Sequence, residues 1–114
     1  MKRWSSFAFL LVLTMTLLIS PLLAQKITGT ISGVVTDPTG AVVPQATVTI
    51  TNIDTALTRT VTTNEMGEYV AADLPNGNYR ITVKQTNFKE AVTSNVELHV
   101  ASTALVNVQL QMAL

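Results

Sequence analysis

Apolar and polar residues alternate along most of the chain from Thr28 onward, and clusters of Gly, Pro, Asn and Asp interrupt the alternation. This pattern is typical of short β-strands at regular spacing, and no stretch of this region has helical periodicity. We predict seven strands, at residues 30–36, 46–52, 57–63, 68–72, 79–84, 93–100 and 104–112.

A period of two gives most of these strands one apolar and one polar face. On the first strand, Ile31, Gly33 and Val35 share the apolar face. One apolar face per strand predicts an all-β fold, a seven-stranded antiparallel β-sandwich whose two sheets pack face to face. The predicted core positions of the other strands are Ala46, Val48, Ile50, Tyr79, Ile81, Val83, Val96, Leu98, Val100, Val106, Val108 and Leu110.

Three clusters between the strands have the composition of specific turns. Asp37-Pro38-Thr39-Gly40 places Asp, Pro and Gly at the positions that favour them in a type I turn. Gly67, which follows Asn64-Glu65-Met66, supplies a residue that tolerates left-handed backbone. Asn76-Gly77 is the dipeptide that most strongly predicts a tight reversal.

The first 24 residues have a different pattern. Lys2 and Arg3 precede a nearly unbroken apolar run, Ser20-Pro21 interrupts it, and the small residue Ala24 follows. This is the order of parts in a secretory signal peptide, and the run is shorter than the roughly 20 residues of a membrane-spanning helix. We therefore predict a signal peptide at residues 1–24, cleaved after Ala24, and one domain at residues 25–114. A retained membrane anchor is the alternative.

Composition narrows the possible functions. Without Lys2 and Arg3, five basic residues face seven acidic ones, so the mature chain has no electrostatic attraction to nucleic acid or to anionic lipid. We expect contact with the membrane only through the signal peptide. The chain has no cysteine, which excludes disulfides, a lipoprotein anchor and a thiolate metal site.

Three segments, at residues 31–52, 62–83 and 87–100, resemble the carboxypeptidase regulatory-like domain. The resemblance implies a transthyretin-like β-sandwich. Behind a signal peptide, such a domain is similar to the N-terminal extension of TonB-dependent outer-membrane receptors. Those receptors continue through a plug and a barrel, so an independent module and a receptor extension both stay open.

Two departures from the family pattern fall at its glycine positions. Gln45 and Asn87 stand where glycine is usual, and Asn tolerates left-handed backbone better than other non-glycine residues. The matched positions are determinants of the fold, so the resemblance implies an architecture and leaves the function open. They are Gly33, Val35, Asp37, Gly40, Val43, Ala46, Thr63, Asn64, Gly67, Tyr69, Ala71, Leu74, Pro75, Gly77 and Tyr79.

The sequence offers little material for catalysis. His99 is the single histidine, its parity on the strand points it outward, and no Ser-His-Asp set can be assembled around it. We expect no enzymatic activity, no catalytic residue and no cofactor. Four acidic side chains near turns could in principle hold calcium, but turn formation is the favoured role. They are Asp37, Asp54, Glu65 and Asp73.

Carbohydrate binding in the cell envelope is the alternative function. Glycan-binding sandwiches usually stack sugars on exposed aromatic rings, whereas Tyr69 and Tyr79 are predicted to point inward and Phe88 to plug one end of the sandwich. An intramolecular isopeptide bond is disfavoured as well, because Asn107 alternates outward and Lys26 precedes the first strand.

The favoured expectation is an exported structural or protein-interaction module, located in the periplasm, at the outer membrane or outside the cell. Its first or its last strand would pair with a strand of a protein partner, since sheet edges carry unpaired backbone groups. A proline at Val106 or a lysine at Asn107 should then weaken the pairing. Lys84 and Lys89 are alternatively candidates for residues that protect an edge.

Overall fold

The computed structural model describes residues 27–114, which form eight strands in two four-stranded sheets. The predicted all-β sandwich is therefore confirmed, while the predicted signal peptide lies outside the described residues. No helix of membrane-spanning length and hydropathy occurs in residues 27–114. The strands are β1 (Thr28–Thr36), β2 (Thr47–Asn52), β3 (Thr58–Thr62), β4 (Glu68–Pro75), β5 (Gly77–Lys84), β6 (Ala91–Leu98), β7 (Thr103–Leu105) and β8 (Val108–Gln109).

The first sheet is built around β1. Its antiparallel neighbour is β4, and on the other side β7 and β8 follow each other along β1, both parallel to it. The sequence predicted one antiparallel strand at residues 104–112. The chain instead crosses from β6 beside the start of β1, where Ala101 N–H donates to Thr28 O over 2.9 Å, and so it must run in the same direction as β1.

The second sheet has the order β3-β2-β5-β6, with every pair antiparallel. The β2 strand pairs along its whole length with β5 on one side and, over Thr47 to Thr51, with β3 on the other. The pairing of β5 with β6 shifts register between Tyr79 and Ile81, opposite a bulge at Asn95, whose φ is +60°.

The core lies between the two sheets and follows the predicted period of two. Along β1, residues alternate between buried and half-buried, and in β2 and most of β5 buried residues alternate with half-buried or exposed ones. Val100 differs from the prediction, since half of its surface is exposed. The reason is that β6 ends at Leu98 and Val100 lies in the following turn. The largest fully buried side chains are Tyr69, Tyr79, Ile31, Ile50, Leu74, Ile81, Leu110, Val35, Val48 and Val83.

Two of the three predicted turns are confirmed, and the third has another role. Gly40 N–H donates to Asp37 O over 3.0 Å, and Gly67, at φ +74°, donates to Asn64 O over 2.9 Å. The chain around Asn76 does not join paired strands, because β4 belongs to the first sheet and β5 to the second. This single residue carries the chain from one sheet to the other.

Candidate interaction edge

The two sheets leave four edges at which a strand from another molecule can pair: β3 and β6 on the second sheet, β4 and the β7–β8 side on the first. The first strand, β1, is not among them, because β4 on one side and β7 and β8 on the other occupy its backbone groups. The prediction that the first strand serves as a pairing edge is therefore wrong. The alternation of the sequence identified a strand without giving its neighbours.

The β7–β8 edge is short and interrupted. Its two strands have three and two residues, and the residues between them turn toward β1. Val106 N–H donates to Ser32 O over 2.7 Å, and Asn107 Oδ1 accepts a hydrogen bond from Val34 N–H over 3.0 Å. The alternation predicted that Asn107 points outward, and its side chain nevertheless accepts a hydrogen bond from β1. Substitutions at these positions would damage the fold and so cannot test partner binding.

The β4 edge carries several features that obstruct strand pairing. Its pairing with β1 shifts register between Gly29 and Ile31, opposite a bulge in which Asp73 has a φ of +57°. Arg59 Nη1 donates to Ala72 O over 2.9 Å, and the strand ends at Pro75. A bulge, a charge and a proline are the devices by which proteins protect sheet edges.

The β6 edge is obstructed in a similar way. The bulge at Asn95 twists the strand in its middle, and Glu97 places a charge near its end. The segment before β6 is already paired with the C-terminal segment, since Lys89 N–H donates to Gln111 O over 2.8 Å. An incoming strand would find only short regular stretches here.

The β3 edge is regular by comparison. Five consecutive residue pairs, from Thr47–Thr62 to Thr51–Thr58, join it to β2 without a shift of register. The strand contains no proline, and its one charged residue, Arg59, reaches back to β4. Among the edges of residues 27–114, β3 is the one that combines an uninterrupted register with the absence of a bulge, a proline and an outward-facing charge.

The backbone groups at this edge can be assigned from the neighbouring hydrogen bonds. Asn52 N–H donates to Leu57 O over 2.8 Å, and Thr63 N–H donates to Ala46 O over 3.0 Å, so the odd-numbered residues here bond to β2. In an antiparallel ladder the intervening residues point their N–H and C=O groups the other way. The outward-pointing residues are Thr58, Thr60 and Thr62.

The same three threonines place their side chains on the outer face of the second sheet, where they are exposed. Each lies directly opposite a threonine of β2, and β-branched residues in such cross-strand pairs favour extended backbone. The edge is therefore stiff and uncharged. The pairs are Thr58–Thr51, Thr60–Thr49 and Thr62–Thr47.

Both ends of β3 are fixed by polar side chains. After the C-terminal end of β3, the buried Thr63 hydroxyl donates to Val43 O and accepts from Ala46 N–H, each over 2.8 Å. In the turn before its N-terminal end, the buried Asn52 Oδ1 accepts from the N–H groups of Asp54 and Thr55. Short connections with satisfied backbone groups hold the edge in place.

The aromatic and histidine side chains singled out in the sequence lie where their parity predicts. Tyr69 and Tyr79 are buried, and their hydroxyls donate to Val106 O over 2.5 Å and to Pro75 O over 2.6 Å. Burial raises the pKa of Tyr69 to about 12. His99 is exposed just beyond β6, with its carbonyl accepting from Ser102 Oγ.

The acidic residues near the turns do not form a shared site, and Asp37 acts within its own turn. Asp37 Oδ1 accepts hydrogen bonds from Thr39 N–H, from the Thr39 hydroxyl and from Ala41 N–H. The Thr39 hydroxyl is the main cause that lowers the pKa of Asp37. No group of three acidic or histidine side chains comes together within residues 27–114, so Asp54, Glu65 and Asp73 are not joined with Asp37 in a site.

The residues near Lys84 form one end of the sandwich. Lys84 is the last residue of the interior strand β5 and pairs with Glu90 over 3.5 Å, so it does not protect an edge strand of the second sheet. Lys89 is exposed just before β6. Phe88 packs against the core, which confirms its predicted position. Asn87 has a φ of +72°, as the departure from the family pattern predicted.

Comparison with known proteins identifies the family to which this fold belongs. The model of the carboxypeptidase regulatory-like domain matches residues 30–111. The chain belongs to this family. Gln45, at φ +56°, occupies left-handed backbone at a point where the family pattern has glycine. No curated protein sequence matches the chain.

Solved structures with the same fold come from proteins of diverse function. The TIE protein of Bacillus anthracis has a TM-score of 0.64 at 19% identity, covering 75% of this chain and 17% of its own. Catechol 1,2-dioxygenase of Acinetobacter radioresistens has a TM-score of 0.64 at 16% identity, covering 83% and 55%. A Bacteroides uniformis protein provisionally named as carbohydrate binding has a TM-score of 0.59 at 16% identity, covering 72% and 40%. The chain thus spans little more than half of these proteins at most, and the likeness shows the fold alone.

The β3 edge was missed by sequence reasoning. The pattern Thr58-Arg59-Thr60-Val61-Thr62 is that of a strand with one exposed and one half-buried face, and an interior strand could have the same pattern. The sequence showed that the exposed face of this segment carries no charge. It did not show which strands lie beside the segment, so the open edge could not be predicted.

Proposed function

We propose that this domain is an exported, non-catalytic interaction module of the cell envelope, and that it docks a strand of a protein partner on the β3 edge. The observation that carries the proposal is the regular, uncharged row of outward backbone groups on β3, beside two edges obstructed by bulges. Such an edge binds an extended segment through main-chain hydrogen bonds. The N-terminal extension of a TonB-dependent receptor is the context in which we place it.

Export rests on the order of charged, apolar and small residues in residues 1–24. In a Gram-negative host, the full chain should be processed after Ala24, and mass spectrometry should find a mature product that begins at Gln25. A product that retains Met1 and stays in the cytoplasm would contradict export.

Docking is tested by a photoreactive side chain at Thr60, compared with the same group at Val92 on β6, which is 54% exposed. Irradiation of cells should cross-link a protein partner from position 60 and not from position 92. Equal cross-linking from the two positions, or none from either, would contradict docking on β3.

The backbone character of docking is tested at the same residue. Thr60→Pro removes an N–H that points away from β2, so the fold should survive while docking is lost. Thr60→Val keeps the N–H and the shape of the side chain and should dock normally. If the Val variant loses docking as fully as the Pro variant, the hydroxyl and not the backbone is the recognised group.

Glycan binding is the second candidate, and one observation weakens it. The three aromatic residues of the described chain are Tyr69, Tyr79 and Phe88; the tyrosines are buried and Phe88 packs against the core. Within residues 27–114, two of the three rings are thus buried and the third is partly buried, which disfavours the stacking of sugars. Specific binding of the mature domain on a glycan array would replace the proposal given above.

A further inference from the structure

The side chains of β3 are arranged symmetrically about Thr60. Thr58 and Thr62, two residues to either side, are identical and lie on the same exposed face. Between them, Arg59 and Val61 lie on the half-buried face. A second β3 strand rotated by 180° about Thr60 therefore presents a matching row of threonines.

The backbone groups match under the same rotation. Thr58, Thr60 and Thr62 point their N–H and C=O groups outward, as the bonds from Asn52 and Thr63 to the neighbouring strand require. If Thr60 faces its own copy, Thr58 faces Thr62 of the second copy, and each pair exchanges two hydrogen bonds. The three pairs then make about six hydrogen bonds, which leaves no outward group of these threonines unpaired.

Side-chain packing is compatible with this arrangement. Three Thr–Thr pairs already join β3 to β2, and three more would join β3 to its copy on the same face. Arg59 would face Val61 of the second copy, while its guanidinium stays at Ala72 O in the direction of the first sheet. The two Arg59 side chains are thus diagonal to each other and not directly opposed.

The net charge of residues 25–114 opposes self-association only weakly. Beyond residues 1–24, five basic residues face seven acidic ones, so two copies repel each other weakly. A two-fold axis is also the commonest symmetry of protein dimers, in which one surface is complementary to itself.

From these observations, and resting on the proposed docking function of the β3 edge, we propose that the docked strand is β3 of a second copy of this chain. The two strands run antiparallel with Thr60 on the two-fold axis, and they join the second sheets of both copies into one eight-stranded sheet. Five residues per copy form a small contact, so the dimer is weak and depends on concentration.

The test uses the absence of natural cysteine, which makes any introduced thiol the only one in the chain. The full chain is expressed from Met1 and purified in its exported form. Facing residues in a hydrogen-bonded pair have Cα atoms about 5.5 Å apart, within the range of a disulfide. Under mild oxidation, Thr60→Cys should therefore form a covalent dimer on a non-reducing gel.

Two matched variants test the register. Thr47→Cys, exposed on the same face of β2, would be separated from its own copy by three strand spacings, roughly 14 Å or more, and should stay monomeric. Thr58→Cys would lie about 13 Å from its own copy along the strands and should also stay monomeric alone. Mixed with Thr62→Cys chains, it should give a mixed covalent dimer.

A second measurement tests the interface without a covalent bond. The unmodified chain should show a concentration-dependent monomer–dimer equilibrium in sedimentation velocity. Thr60→Lys should abolish the dimer, because two like charges would face each other on the axis. An equal mixture of Thr60→Lys and Thr60→Glu chains should restore it, which also shows that both variants fold.

The outcomes separate this inference from the proposed function. If Thr60→Cys cross-links no faster than Thr47→Cys, or if Thr58→Cys dimerises alone, self-pairing in this register is wrong. If position 60 cross-links a different envelope protein but not its own copy, self-pairing is overturned while docking on β3 stands. If position 60 cross-links nothing at all, both are overturned.

Discussion

Gly33 shows how a single residue in this domain depends on the absence of a side chain. It lies on the core face of β1, where a Cβ would overlap the carbonyl group of Val106 and approach the Tyr69 hydroxyl. The residues between β7 and β8 can lie this close to β1 only because residue 33 is glycine. The need here is for space, whereas at Gly40 the need is for a φ of +89°.

We expect Gly33→Ala to lower the free energy of unfolding by about 3 kcal/mol, because the neighbouring atoms are backbone and cannot move aside. Urea unfolding followed by tyrosine fluorescence would measure the loss. Gly40→Ala is the control. No heavy atom lies within 4 Å of its added Cβ, so it should cost only the strain of left-handed backbone, about 1 kcal/mol. Equal losses in the two variants would refute the steric account.

Tyr69 links the stability of the domain to high pH. Burial raises the pKa of its hydroxyl from 10.0 to about 12, so the folded state holds the proton more tightly than the unfolded state. The associated stability is present in full below pH 10 and is lost as the pH rises from 10 toward 12. The unfolding midpoint in urea should therefore fall over this range.

Tyr69→Phe serves as the comparison for that titration. The variant should lose part of the decline above pH 10, and at pH 8 it should be less stable because the hydrogen bond to Val106 O is gone. An unchanged decline in the Phe variant would assign the pH dependence to other groups.

At the scale of elements, the domain depends on polar connections that join one strand end to another. Thr63, directly after β3, bonds through its hydroxyl to Ala46 and to Val43, and it is 3% exposed. Its hydroxyl thus holds the C-terminal end of β3 against the segment that precedes β2. The position of the β3 edge relative to β2 follows from this contact.

Thr63→Val replaces the hydroxyl by a methyl group of similar size and leaves two buried backbone groups without partners. We expect it to cost about 1–3 kcal/mol in the free energy of unfolding, measured by thermal or urea unfolding. Thr63→Ser keeps the hydroxyl and should cost less. A Val variant as stable as the wild type would show that these backbone groups find other partners.

At the scale of the whole molecule, the C-terminal residues join the two sheets at one end of the sandwich. Leu110 is fully buried, and its N–H donates to Thr36 O of β1 over 2.8 Å. The next residues pair with the connection between β5 and β6, where Ala113 N–H donates to Asn87 O over 3.0 Å. The last residues of the chain therefore contribute to the fold.

Leu110→Ala should accordingly destabilise the domain by about 2–5 kcal/mol, since it removes buried methyl groups and leaves a cavity. Leu105→Ala is the matched control, because Leu105 is 70% exposed and its loss should change stability by no more than about 0.5 kcal/mol. Thermal unfolding of both variants would decide. Similar losses would contradict the assignment of Leu110 to the core.

The alternation of apolar and polar residues was sufficient to predict the sandwich and most of its core. When one face of a strand packs on the core, every second residue is buried, whichever strands lie beside it. Ile31, Val48 and Ile81 could therefore be assigned to the core correctly from their spacing. Turn residues were equally local in their effect. Asp37 and Gly67 form their turns through bonds to residues a few positions away.

The order of the strands, and with it the identity of the edges, was decided only by the tertiary structure. Nothing in the pattern of β1 indicates that it is hydrogen-bonded on both sides, or that the last predicted strand divides and runs parallel to it. Pairing between strands far apart in sequence depends on how the sheets pack, not on local propensity. The sequence thus determined that Thr58, Thr60 and Thr62 lie on a polar strand face, and the fold determined that their backbone groups form an open edge.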